Sequence, residues 1–296
     1  MCCNCPRNCQ VNRIEGEEGV CQAPAIPIVA KCALHFWEEP CISGTNGSGA
    51  IFFSGCNLHC IFCQNYEISQ KISGKSTKLQ ELIALFLNLQ VQGAHNINLV
   101  TPTPYVVMIK QALINAKAKG LTIPIIYNTN GYEKVETIHD LAGLIDIYLP
   151  DIKYMSEELS GKFSGASDYF LHASAAIIEM HQQVGNLVIN DKGIATKGLL
   201  LRHLILPGHL DESRNILDWA VATFNTDIHV SLMGQFVPFY KTTESKELNR
   251  TLTKREYQRM IEYFFRIGLK NGYCQELQSA STKFIPHFSL TNPLDG

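Results

Sequence analysis

Three cysteines offer the most chemistry in this chain. Cys56, Cys60 and Cys63 follow the pattern C-x3-C-x2-C. A loop with that spacing can wrap a cube of iron and sulfide and give it three thiolates. A [4Fe–4S] cube has four iron corners and commonly takes four cysteines, so three ligands leave one iron open. The bare spacing also fits a zinc knot or three unrelated buried thiols. The apolar run Ala50-Ile-Phe-Phe-Ser54 in front of it, and the loops further along, favour the cluster. His59, inside the loop, is read as space-filling.

A second group lies at the front. Cys2, Cys5, Cys9 and Cys21 form C-x2-C-x3-C-x11-C, and the turn Cys5-Pro-Arg-Asn-Cys9 can point two sulfurs inward. Four thiolates suit a tetrahedral zinc or a second iron–sulfur cluster, and the spacing leaves both open. Cys3, Cys32 and Cys41 are substitute ligands, with Cys41 equally readable as a small buried apolar residue. Cys274 is read as core.

Of the 11 cysteines, ten fall between Cys2 and Cys63. That odd number, crowded into one end, makes a poor disulfide framework and points to metal ligation. The opening MCCNCPRNC has no apolar core of a signal peptide, and no apolar run reaches membrane-spanning length, so a cytoplasmic location is expected. Lys+Arg total 25 against 27 Asp+Glu, a net charge of −2, which argues against a chain built to grip nucleic acid or an acidic membrane. With 296 residues, 46% of them hydrophobic, the chain can bury a sizeable core.

The elements that must hold these residues alternate. Residues 1–48 read as a Cys-rich metal-binding lobe with no sustained period, 49–275 as a β/α barrel domain, and 276–296 as a C-terminal tail. Strands are predicted at 50–54, 96–100, 123–127, 144–149, 199–206 and 228–232, separated by helical segments such as 79–92, 105–119 and 133–142. Six strand–helix units imply parallel pairing by right-handed crossovers and a partial (β/α)6 TIM-like barrel. The insert 186–196 carries Asp191-Lys-Gly193, a hairpin turn.

In such folds ligands sit at the carboxyl ends of strands. The unusual residues fall there: Cys56 to Cys63, Thr101-Pro-Thr-Pro104, Asn128-Thr-Asn-Gly131, Asp151-Ile-Lys153, and Arg202 before Pro207-Gly208. One shared pocket is expected. His35-Phe-Trp-Glu-Glu39 is read as packing plus a solvated face, with a lining of the pocket mouth as the alternative, and strand alternation sends only one of Arg202 and His203 inward.

The segment Phe52-Phe-Ser-Gly-Cys-Asn-Leu-His-Cys-Ile-Phe-Cys-Gln-Asn-Tyr-Glu-Ile-Ser69 resembles the radical S-adenosylmethionine superfamily. More narrowly, it resembles the activase-like branch related to pyruvate formate-lyase activating enzyme. Cys5-Pro-Arg-Asn-Cys-Gln-Val-Asn-Arg13 and Leu34-His-Phe-Trp-Glu-Glu-Pro-Cys-Ile-Ser-Gly44 carry the same likeness, which runs from about residue 2 to about residue 270.

The resemblance implies a [4Fe–4S] cluster on Cys56, Cys60 and Cys63, with S-adenosylmethionine chelating the open iron. It further implies a 5′-deoxyadenosyl radical that removes a hydrogen atom, and a one-electron donor such as flavodoxin or ferredoxin. Thr101 and Thr103 take the place of a Gly-Gly-Glu loop at the cofactor's amino group and lack its carboxylate. Asn128 and Asn130 match an Asp-Thr-Asn-Gly loop, with Asn128 replacing the Asp. Asp151 and Lys153 match an Asp-x-Lys motif, and Arg202 an Arg beside the cofactor, whose fixed donors suit a carboxylate. The chain has no ferredoxin-like insert after the first cluster and has the cysteine lobe instead. The leading expectation is activation of a glycyl radical enzyme. Alternatives are radical modification of a small molecule or peptide, or a non-catalytic zinc or iron–sulfur scaffold or redox sensor.

Overall fold

A computed structural model describes residues 1–275 and Phe288; the rest of the predicted tail lies outside the described residues. The strands are β1 (Ile28–His35), β2 (Ser48–Phe53), β3 (Lys75–Ser76), β4 (Ile97–Val100), β5 (Ile125–Thr129), β6 (Ile147–Pro150), β7 (Val188–Ile189), β8 (Ala195–Leu204), β9 (His229–Met233) and β10 (Gly272–Cys274). The helices are α1 (Pro40–Ser43), α2 (Tyr66–Ser69), α3 (Leu79–Val91), α4 (Val106–Ala118), α5 (Val135–His139), α6 (Glu157–Ser164), α7 (Tyr169–Val184), α8 (Leu210–Phe224) and α9 (Lys254–Arg266).

The sheet order is β10-β9-β8-β6-β5-β4-β2-β1-β3, and the sheet is not closed. Every pairing from β2 to β10 along this path is parallel. Parallel strands covered on both faces bury nearly every side chain. Accordingly β2, β4, β5 and β6 are buried throughout, which is why they read as mainly apolar runs, with Ser48, Asn98, Asn128 and Thr129 buried among the apolar residues. Helices such as α3 turn one stripe (Leu82, Ile83, Phe86, Leu89) onto the sheet. This is the expected α/β architecture, a partial TIM-like barrel. The six predicted strands correspond to β2, β4, β5, β6, β8 and β9, and β10 adds a seventh parallel strand. The 186–196 insert is the predicted hairpin, with β7 antiparallel to β8.

One helix is shorter than its pattern. The segment 133–142 predicts a helix, yet α5 begins at Val135. Glu133 is fully buried and turned under the neighbouring loops, so it cannot serve as an exposed first turn.

The front of the chain reaches both ends of the barrel. β1 runs antiparallel to β2, pairing His35 with Ser48, and so carries the chain back to the amino-terminal ends of the parallel strands. There α1 enters the mouth: Cys41 and Ile42 pack with Ile126, Ile147, Leu149, Leu187, Ala195 and Leu200. The Asn96 amide donates to the Ile42 carbonyl at 2.8 Å and fixes this plug.

Candidate functional site

The cysteine loop leaves β2 at the carboxyl edge. The Ser54 hydroxyl donates to the Ile68 carbonyl at 2.9 Å, and the Tyr105 hydroxyl donates to the Ser54 carbonyl at 2.9 Å, which pins the loop's base. Each sulfur has a polar neighbour. The Leu58 amide donates to Cys56 Sγ at 3.4 Å and Asn130 Nδ2 does so at 3.3 Å. The Ser164 hydroxyl donates to Cys60 Sγ at 2.9 Å, and Ser69 Oγ lies 3.2 Å from Cys63 Sγ. Burial pushes the Cys63 thiol up to about 11 and raises Cys56 and Cys60 as well. Metal ligation therefore has to displace protons from three neutral thiols.

All three cysteines line one cavity of about 370 Å³. Of the residues proposed around it from sequence, Thr101, Asn128, Asn130, Asp151, Lys153 and Arg202 line it too. Thr103 does not: it is buried beneath, where its hydroxyl and that of Thr129 both donate to Glu133 Oε1. Asn130 joins two loops, since its Nδ2 also donates to Asn57 Oδ1 at 2.8 Å while its Oδ1 accepts from the Tyr132 amide at 2.9 Å. Gly131 follows with φ +83°, and a Cβ there would lie 2.3 Å from the Asp151 carbonyl oxygen. Only glycine lets these two loops approach so closely.

Arg202 organises the floor. Its Nε donates to Asp151 Oδ1 at 3.0 Å, its Nη1 to Glu38 Oε2 at 3.3 Å and its Nη2 to Asn128 Oδ1 at 2.6 Å. Lys153 Nζ donates to Asp151 Oδ2 at 2.6 Å. Burial opposes ionisation of Asp151, but Lys153 and Arg202 overcome it and hold the carboxyl below its ordinary range. His203 faces the outer wall, its ring between the Ile152 carbonyl at 2.7 Å and Ser213 Oγ at 2.8 Å. Strand alternation thus separates Arg202 from His203 as expected.

Two residues correct the favoured sequence reading. Glu38 and Glu39 were expected first on a solvated face, and both turn inward instead; Glu38 takes the alternative position at the pocket. Glu38 Oε1 accepts from Asn98 Nδ2 at 3.1 Å and Asn128 Nδ2 at 3.3 Å. Glu39 is 3% exposed; burial pushes its carboxyl up, and its Oε2 has no hydrogen-bond partner among the described residues. The cause is topological: β1 delivers this segment to the open end of the barrel, where the only direction for α1 to bury Cys41 and Ile42 is inward. Trp37 remains largely exposed at the cavity's rim.

In the front lobe Cys2, Cys5, Cys9 and Cys21 surround one small space of about 10 Å³, with Arg7, Arg13 and Asn57. Cys3 is exposed, Cys32 lies beside α3, and Cys41 lies in the barrel mouth. His59 is exposed, with its Nε2 3.1 Å from the Val20 carbonyl. Among the described residues, no three His, Cys, Asp or Glu side chains converge at single-ion distances, either at the loop or in the lobe.

The fold is thus a partial α/β barrel with three thiols on the loop after its first parallel strand. The model of the Radical SAM superfamily matches residues 50–220, and the chain belongs to that superfamily. Among curated proteins it is 31% identical over 270 residues to the uncharacterized protein MJ0674 of Methanocaldococcus jannaschii, covering 88% of this chain and 73% of that one. The uncharacterized protein MJ0808 of the same organism is 24% identical over 273 residues, covering 82% and 72%. A structure of Streptococcus suis SuiB bound to S-adenosylmethionine aligns with a TM-score of 0.47 at 15% identity, over 80% of this chain and 50% of that one. No helix among the described residues is long and apolar enough to cross a membrane.

The donor set fits the family's cluster. Among the described residues the cavity is lined by three cysteines and no fourth, which matches a cube with one open iron.

Proposed function

We propose that Cys56, Cys60 and Cys63 hold a [4Fe–4S] cluster whose open iron takes S-adenosylmethionine, and that the protein activates a glycyl radical enzyme. The bound cluster supplies the electron that cleaves the sulfonium and yields a 5′-deoxyadenosyl radical for hydrogen abstraction. The supporting observation is the convergence of exactly that thiol triad with Asn128, Asn130, Asp151, Lys153 and Arg202 on one cavity.

The chain's own part is binding and orientation. Asn130 keeps the Cys56 end of the loop in place through Cys56 Sγ and Asn57 Oδ1. Arg202 and Lys153 offer cations to a carboxylate; each terminal nitrogen of Arg202 keeps a second N–H beyond its bonds to Glu38 and Asn128. Glu38 and Asp151 offer anions to an ammonium. Thr101 sits at φ +58° on the cavity wall. A reduced flavodoxin or ferredoxin is the electron donor in this reading, and the four front-lobe cysteines form a second metal site.

Protein reconstituted and reduced without oxygen tests the reading. About four irons and four sulfides per chain are expected at the loop. The Cys56→Ala/Cys60→Ala/Cys63→Ala variant loses them. The loaded protein forms 5′-deoxyadenosine, and a glycyl-radical resonance appears on a large partner protein. Loaded protein that forms no deoxyadenosine with candidate partners present refutes the enzyme reading. Deuterium entering deoxyadenosine from a small-molecule or peptide pool, with no glycyl radical, leaves the cleavage standing and removes the activase role.

A further inference from the structure

We propose that Cys2, Cys5, Cys9 and Cys21 close on one zinc ion, and that this ion clasps the amino-terminal lobe over the loops that build the radical site. Four thiolates with no open position make a structural centre, and a tetrahedral sulfur set is suited to zinc. The space they surround is about 10 Å³, room for a single ion or water and far less than the 370 Å³ beside the loop cysteines. Binding draws the sulfurs inward and releases protons: Zn²⁺ and four thiols give a tetrathiolate of charge −2 and four H⁺.

Three of the four sulfurs already have hydrogen-bond donors turned to them. The backbone amide of Arg7 is turned to Cys5, and that of Ala23 to Cys21, each two residues beyond its cysteine. The same offset recurs in the cluster loop, where Leu58 serves Cys56 and Asn65 serves Cys63. The Val20 amide donates to Cys9 Sγ at 3.4 Å, and Arg13 Nη2 to Cys21 Sγ at 3.1 Å. Burial still holds the Cys5 and Cys21 thiols above their ordinary range, so the ion has to displace their protons, as at the cluster loop.

Packing cannot hold this lobe. Within residues 1–22 only Cys5, Pro6 and Cys21 are buried, and the single turn of 3-10 helix at Arg13–Glu15 buries nothing. Yet the lobe grips three loops of the site. Arg7 Nε donates to the Asn57 carbonyl at 2.9 Å, next to Cys56. Arg13 Nη1 donates to the Pro104 carbonyl at 2.6 Å, beyond Thr101. Lys134 Nζ donates to Asn8 Oδ1 at 2.5 Å, and the Thr137 hydroxyl donates to the Asn4 carbonyl at 2.9 Å, both just past Asn130. A chain segment with almost no core of its own needs a cross-link to deliver bonds in fixed positions.

Metal and sulfide analysis of anaerobically purified full-length protein tests this, with zinc itself as the probe. One zinc per chain is expected in wild type and in the Cys56→Ala/Cys60→Ala/Cys63→Ala variant, which has lost its iron. The Cys5→Ser/Cys21→Ser variant loses the zinc, and hydrogen exchange rises in residues 1–22, 56–63, 101–104 and 130–134. Should that variant not fold, zinc X-ray absorption on wild type decides alone: four sulfurs at about 2.3 Å are expected. Nitrogen or oxygen ligands, zinc retained by the Cys5/Cys21 variant, iron in place of zinc, or a second complement of iron with sulfide would each overturn the proposal. The zinc count stands apart from the radical chemistry, because deoxyadenosine formation and loop iron are read separately.

Discussion

Replacing Glu133 by Gln is expected to remove a pH dependence of stability. Burial raises the Glu133 carboxyl from its ordinary 4.5 to about 7, against the hydroxyls of Thr103 and Thr129 that favour its ionised form. Its Oε2 is buried and has no partner among the described residues. Between pH 4.5 and about 7 the folded chain holds this proton more tightly than the unfolded chain. Stability therefore falls as pH rises through that window, by about 3 kcal/mol in all, and stays low above it. His203 titrates in the opposite sense: burial lowers it to about 4, so its contribution is present above 6.5 and is lost as pH falls towards 4. Subtracting the variant from wild type cancels His203 and isolates Glu133. Anaerobic urea midpoints at pH 5 and pH 8, with thiols kept reduced, give the two differences. The Gln variant is expected to gain about 2–3 kcal/mol on wild type between those pH values. A gain under about 1 kcal/mol, or a change of opposite sign, would refute the idea that this carboxyl is held neutral by burial.

Two further substitutions probe the floor and the loop contact. Arg202→Met strips a buried guanidinium from two carboxylates; among the described residues Asp151 keeps Lys153, while Glu38 keeps the side-chain amides of Asn98 and Asn128. A loss of about 3–5 kcal/mol in urea unfolding is expected, and adding Glu38→Gln to it returns at least about 1 kcal/mol. Strictly additive effects would show that Glu38 and Arg202 are not coupled. Gly131→Ala forces a methyl to 2.3 Å from the Asp151 carbonyl at φ +83°. It is expected to cost more than about 1 kcal/mol and, by shifting Asn130 from Cys56, to lower iron retained after gel filtration; wild-type behaviour in both would sink the account.

The parallel strands could be read from sequence because they are buried on both faces and so appear as short, mainly apolar runs. The thiol loop could be read because its ligands are near neighbours in the chain. β1 was missed: IVAKCALH mixes buried and half-buried positions with a lysine, and its partner β2 sits across a turn-rich segment. Glu38 and Glu39 were misread because nothing local reports which way the chain turns after β1. The partners that define Glu38 lie 90 residues on at Asn128 and 164 on at Arg202. Thr101 and Thr103 share one short motif, yet only the backbone separates their fates: Thr101 adopts a left-handed φ of +58° at the cavity, while Thr103 starts a buried turn against Glu133. Ser69 and Ser164, the hydroxyl neighbours of two cysteines, carry no sequence signal, since a serine in a helix is ordinary.

The first 48 residues meet the barrel at both ends, and β1 is the strut between them. At the carboxyl edge the cysteine lobe fastens the loops around Asn57, Pro104 and Lys134. At the amino-terminal end α1 fills the mouth and sends Glu38 up to Arg202. Among the described residues lining the cavity, the carboxylates are Glu38 and Asp151 and the cationic side chains of Lys and Arg are Lys153 and Arg202. The Thr101–Thr103 loop brings no carboxylate, so the second acid arrives from the opposite end of the barrel. Without Glu38 the buried floor would hold two cations against one anion, an imbalance that low-dielectric surroundings penalise heavily. The amino-terminal segment is therefore part of the site's electrostatics as well as of its scaffold, and a chain beginning at β2 would lack both.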